Sequence, residues 1–118
     1  MDKLYTTLNS VIADRYAANA ARIRELAAPL INAQFWQNPY PYGNSFGHLV
    51  LHLTGNLNYY IGAQITGTGY VRDRPREFAE SNRPSKEETI KHFDEAVAMV
   101  LESIRNQSAE DWSREYSA

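Results

Sequence analysis

The 118-residue chain has no cysteine. That excludes disulfide scaffolds, thiolate-bound zinc and a cysteine nucleophile, and leaves imidazole, carboxylate and water as the possible ligands of any metal. Basic charge is also scarce. Twelve Lys and Arg face fourteen Asp and Glu, giving a net charge of -2 and a pI near 5.9. A phosphate-backbone binder needs a basic face, so no nucleic-acid partner is expected. No apolar run approaches the roughly 18 residues needed to cross a bilayer. The N-terminal MDKLYTTLNS lacks the basic-then-apolar pattern of a secretory signal. A membrane partner is therefore not expected, and the cytoplasm is the expected location. Period-two alternation is missing throughout, as are repeats of about 20–50 residues and low-complexity tracts. There is no GxSxG motif, no P-loop and no dinucleotide fingerprint.

The chain does contain helical periodicity. Its length and its 43% hydrophobic fraction suit one globular domain spanning 1–118. Leu4, Leu8, Val11, Ile12, Tyr16, Ile23 and Leu26 recur at helical steps, predicting a first helix from Asp2 to about Ala28. Pro29 is its expected stop. Residues 30–44 (LINAQFWQNPYPYGN) read as an aromatic, extended connector that either lids the core or lines a pocket mouth. A second helix is expected from Asn44 or Ser45 to about Ile65, with a buried stripe of Phe46, Leu49, Val50, Leu53, Leu57, Tyr60 and Ile61. Gly67 and Gly69 end it. A long crossover follows over 67–83, with a helical turn near Pro75–Ala79. The third helix starts at a Ser85/Glu88 capping box and buries Ile90, Phe93, Val97, Val100, Leu101 and Ile104. A turn at Ser108 and Asp111 then sets Trp112 against the bundle. The class is all-α.

The candidate chemistry lies between Asn44 and Glu80. His48 and His52 are one turn apart, a spacing that can present two imidazoles to one metal ion and that also occurs on inert helices. At about 100° per residue, His52 falls roughly 120° from the centre of the apolar stripe. Asn56 and Tyr60 complete a polar seam with it along the edge of the core. His48 points further round, towards solvent. His92 is off the stripe of the third helix and is read as solvated. A site made of His48, His52 and His92 would need both off-stripe residues to turn inward. The carboxylates do not form a di-iron pattern, because the second helix has no Asp or Glu. In the crossover, Arg72, Arg74 and Arg76 sit among Asp73, Glu77 and Glu80. Such arginine forks either bind an anionic ligand or pair with neighbouring carboxylates to hold the loop.

The segments SFGHLVLHLTGNLNYYIG and GYVRDRPREFAE, that is HLxGN followed by RDRPxEF, resemble the DinB/YfiT-like superfamily of metal-dependent proteins. The likeness runs over essentially the whole chain. It implies an up-down-down-up four-helix bundle, of which three long helices are present here, with a long crossover between the second and third. It also implies a divalent metal, zinc or nickel, held by three histidines. His52 matches the one on the second helix. The other two would come from a His-xxx-His pair on a fourth helix, and the chain ends at Ala118 before one. The domain is therefore expected to be C-terminally incomplete, with an incomplete metal site and no catalysis of its own. The alternative is a whole protein, non-catalytic, that binds a partner or pairs as a homodimer across the uncovered groove. The parent activity implied is thiol-dependent transfer or hydrolysis, with a low-molecular-weight thiol such as bacillithiol or mycothiol and an electrophile as partners. Arg72 or Arg74 would hold an anionic group of the thiol, beside Asn56 and Tyr60.

Overall fold

The computed structural model describes residues 2–79 and 83–116. Glu80, grouped above with the crossover arginines, lies outside them. The described residues form helices α1 (Asp2–Ala27), α2 (Asn32–Trp36), α3 (Phe46–Leu57), α4 (Arg74–Ala79), α5 (Lys86–Arg105) and α6 (Ala109–Ser113), with a π-helical extension of α3 over Asn58–Thr66. The long axis measures 50 Å. At 1.5 Å per residue, α1 alone accounts for about 39 Å of it.

Three long helices define the bundle. Helix α5 is central and packs on both α1 and α3. Its partnership with α1 is antiparallel: Arg24 pairs with Asp94 at one end, and Asn9 donates to the Gln107 carbonyl at the other. Its partnership with α3 is parallel, and Thr66 meets Ser103 at their common C-terminal end. Two parallel neighbours require a crossover, which residues 67–85 supply. The up-down-down order matches the expected bundle.

Local signals set the helix ends. Ser45 accepts from the His48 N–H and Ser85 from the Glu88 N–H, which caps α3 and α5. The carbonyls at and just beyond the end of α1 are met by Lys86, whose Nζ lies 3.2, 3.3 and 2.6 Å from the oxygens of Ala27, Ala28 and Leu30. Gly67 closes the extension with φ of +72°, a left-handed cap that suits glycine.

Four expectations need correction. The connector over 30–44 contains the short helix α2, which carries Phe35 and Trp36 into the core. The second helix does not stay α-helical to Ile65 but widens into π geometry at Asn58; no sequence feature explains the change. The buried face of α1 is Asn9, Ala13, Ala20 and Ala27, whereas Leu4, Leu8, Val11 and Leu26 are exposed. Alanines at seven-residue steps let α1 and α5 approach closely, and that contact outcompetes the bulkier stripe. On α3 the buried residues are Gly47, His48, Val50, Gly55 and Leu57, while Leu49, Leu53 and, on the π-helical extension, Tyr60 are exposed. The buried arc of α3 is thus rotated by about 100° from the stripe centre assumed for the sequence. Helix α5 follows its stripe, burying Phe93, Val97, Val100 and Ile104.

Candidate functional site

The rotation of α3 decides where the histidines go. His48 is 8% exposed, not solvated. Its ring meets Trp36 edge-to-face at 5.3 Å, and its Nδ1 lies 2.7 Å from Ser45 Oγ. Gly47 makes room for this arrangement, since an added Cβ there would lie 2.5 Å from the Trp36 ring. His48 is therefore part of the packing beneath α2. His92 is exposed on α5 and lines a cavity of about 300 Å³ with Tyr70, Asp73 and Thr89. The three histidines do not converge. Among the described residues, no three His, Cys, Asp or Glu side chains are placed to hold a metal ion.

His52 stands at the margin of the buried arc of α3, and the crossover comes to it. Its side chain is 25% exposed, and Nδ1 lies 3.1 Å from Glu77 Oε1. Glu77 is 8% exposed and is held by Arg72 through two parallel contacts, Nε to Oε2 and Nη2 to Oε1, both 3.0 Å. A bidentate fork of this kind is geometrically demanding and charge-assisted. The hydrogen bond to Glu77 holds the Arg72 guanidinium above its ordinary pKa. The same arrangement raises the pKa of Tyr70, through burial first and the negative charge of Glu77 second.

Packing makes this cluster possible. Glu77 presses against α3 at Gly55, where its carboxylate fills the place a Cβ would take. Phe78, next along α4, covers the His52 ring at 4.7 Å. Arg74 lies over Phe78 at 5.4 Å, and Arg72 lies 5.8 Å from the Tyr60 ring centroid. Asn56 is half-buried on α3, one turn beyond His52.

Of the residues singled out from sequence, His52 and Arg72 meet directly. Arg74 and Tyr60 flank them through ring contacts. The Arg72 fork is filled by Glu77, the loop-holding alternative of the two left open above. Glu77 was legible only as one possible arginine partner. Its contact with the histidine depends on Gly55, three residues after His52 in HLTGN, and on the five-residue spacing from Arg72 in RDRPRE.

The two motifs that resembled a known family are thus the two halves of one cluster. A family model described as the DinB superfamily matches residues 15–118. The chain belongs to the DinB superfamily. The matched DinB region takes in the second half of α1, α3, the crossover and α5. Comparison with curated proteins finds no match, and neither does comparison with solved structures. No helix among the described residues is long and apolar enough to cross a membrane.

Proposed function

We propose that this DinB-superfamily domain binds a divalent metal ion with His52 as one ligand, and that it belongs to a thiol-dependent transferase or hydrolase system. One observation carries this reading. His52 alone among the three histidines combines a half-open position with a ring nitrogen held by a buried carboxylate. Zinc-type ligands are commonly oriented by such a carboxylate. Imidazole suits zinc and nickel, the metals favoured here. A bound cation would lower the pKa of a thiol or water at that place. His52 fits as a single ligand, but the set His48, His52 and His92 does not fit, because the other two rings lie elsewhere. Among the described residues no group of three His, Cys, Asp or Glu side chains placed to hold a metal ion includes His52.

The test is a zinc or nickel titration followed on the ring resonances of the three histidines, with His52→Ala alongside. Selective shifts at His52 and weaker binding by the variant are expected. Equal binding by His52→Ala, or uptake at His48 or His92 instead, would remove the assignment.

A second reading is a non-catalytic dimerisation or binding module. A groove of about 420 Å³ runs between α1 and α3, floored by Phe93 and Val97 of α5 and walled by Tyr16, Ile23, Leu53 and Leu57. Leu4, Leu8, Leu26 and Leu49 are also exposed. Exposed apolar patches of this kind mark interaction surfaces. Sedimentation equilibrium decides it: a dimer dispersed by Leu53→Glu supports a self-associating module, and a monomer at all concentrations removes the homodimer.

A further inference from the structure

The Nδ1 atom of His52 has two neighbours that make opposite demands. Glu77 Oε1, at 3.1 Å, can only accept a hydrogen bond. Arg72 Nη2, at 3.3 Å, can only donate one. A proton on Nδ1 satisfies the carboxylate. A lone pair on Nδ1 would satisfy the guanidinium but would face a carboxylate oxygen.

Three features of the cluster settle the competition. Arg72 Nη2 gives one of its two hydrogens to Glu77 Oε1 at 3.0 Å, so the guanidinium is held by the carboxylate whether or not Nδ1 accepts from it. The oxygen is the nearer neighbour, and an acceptor opposed to an acceptor in a pocket where Glu77 is 8% exposed would be costly. Glu77 cannot swing aside, because Arg72 grips both oxygens and Gly55 seats the carboxylate against α3. The donor therefore has to be the imidazole.

We infer that Glu77 is a positioning residue: seated in the Gly55 notch and clamped by Arg72, it holds the neutral His52 ring with its proton on Nδ1 and its lone pair on Nε2. A solvent-exposed neutral histidine side chain prefers the opposite tautomer, with its proton on Nε2. The cluster thus reverses that preference and leaves Nε2 as the atom able to ligate a metal or accept a proton. The use of Nε2 for a metal rests on the proposed function. The tautomer does not, and it can be read in the metal-free protein.

The experiment is a long-range proton–nitrogen correlation spectrum of the metal-free, ¹⁵N-labelled protein. It is recorded at pH about 8.5, two units above the ordinary histidine value. The expected result is a protonated Nδ1 and an unprotonated Nε2 for His52. In Glu77→Ala the proton should move to Nε2 in most molecules. In Gly55→Ala the carboxylate remains but its seat is filled, and the same shift is expected. The dispersion of the backbone spectrum shows that each variant is folded. If Glu77→Ala does not fold, Gly55→Ala and the wild-type spectrum still decide the question. A wild-type His52 protonated on Nε2 would overturn the inference, as would an Nδ1 proton that survives in every folded variant. A zinc titration of the same samples separates the two readings. A roughly 10- to 100-fold weaker affinity in Glu77→Ala supports both. Zinc that fails to reach Nε2 in a wild type with the expected tautomer leaves the positioning role intact and removes the metal.

Discussion

Gly55 and Glu77 share one volume: the carboxylate of Glu77 lies where the side chain of residue 55 would begin. That single relationship joins the His52 helix to the crossover. It also makes the glycine a requirement of packing rather than of backbone conformation. Gly55→Ala should gain up to about 1 kcal/mol of helix propensity. It should lose more than this, because breaking a buried ion pair costs about 3–5 kcal/mol. The expected net loss of roughly 2–4 kcal/mol can be read from urea unfolding. A stabilised variant would mean that Glu77 has another place to go.

His48 and His52 should behave in opposite ways. His48→Ala removes a buried ring that contacts Trp36 and Ser45, and a loss of about 2–4 kcal/mol is expected, with zinc affinity unchanged in whatever remains folded. His52→Ala should lower metal affinity at a smaller stability cost, since its ring is a quarter exposed. Thermal melts beside zinc titrations of both variants compare them directly. Reversed ranks would contradict the buried arc assigned to α3.

Asn9 ties the end of the chain to its beginning. Its side chain donates to the Gln107 carbonyl at 2.7 Å and accepts from the Trp112 indole at 2.7 Å. Asn9→Ala would orphan both groups at the foot of α1. A loss of about 1–3 kcal/mol is expected, with a red shift of Trp112 fluorescence as α6 loosens. Asn9→Asp keeps the acceptor but not the donor and should fall between the two.

Asp111 carries the acid sensitivity of α6. Its carboxylate accepts from the Ser108 N–H at 3.0 Å, and the Ser108 hydroxyl accepts from the Asp111 N–H at 3.1 Å. The Ser108 backbone bond, chiefly, holds the Asp111 pKa below its ordinary value. A depressed folded-state pKa stabilises above the unfolded value, and that contribution is lost as pH falls through the folded value. The cap should therefore survive mild acid and fail below the ordinary aspartate range. The Asp111 carboxyl carbon and the Ser108 amide should titrate together in NMR spectra, and Asp111→Asn should abolish that titration.

The sequence by itself determined where helices form and how several of them begin. Periodicity marked α1, α3 and α5, and Ser45 and Ser85 cap the last two as their positions indicated. Ser108 likewise begins α6. The HLTGN and RDRPREF motifs carried the DinB resemblance that the family match bears out. These features depend on nearest neighbours along one chain segment, so they can be read locally. On α1 and α3 the tertiary structure alone decided which face is inside, whereas α5 buries the stripe its sequence marked. An apolar stripe reports that a face could be buried. Burial went instead to Ala13, Ala20 and Ala27 on α1 and to Gly47 and Gly55 on α3, because small residues allow the closest approach of a neighbour. That choice turned α3, buried His48, and brought Glu77 from 25 residues away onto His52. A contact between a notch on one helix and a carboxylate on a crossover has no period to reveal it, and only the fold brings the two together.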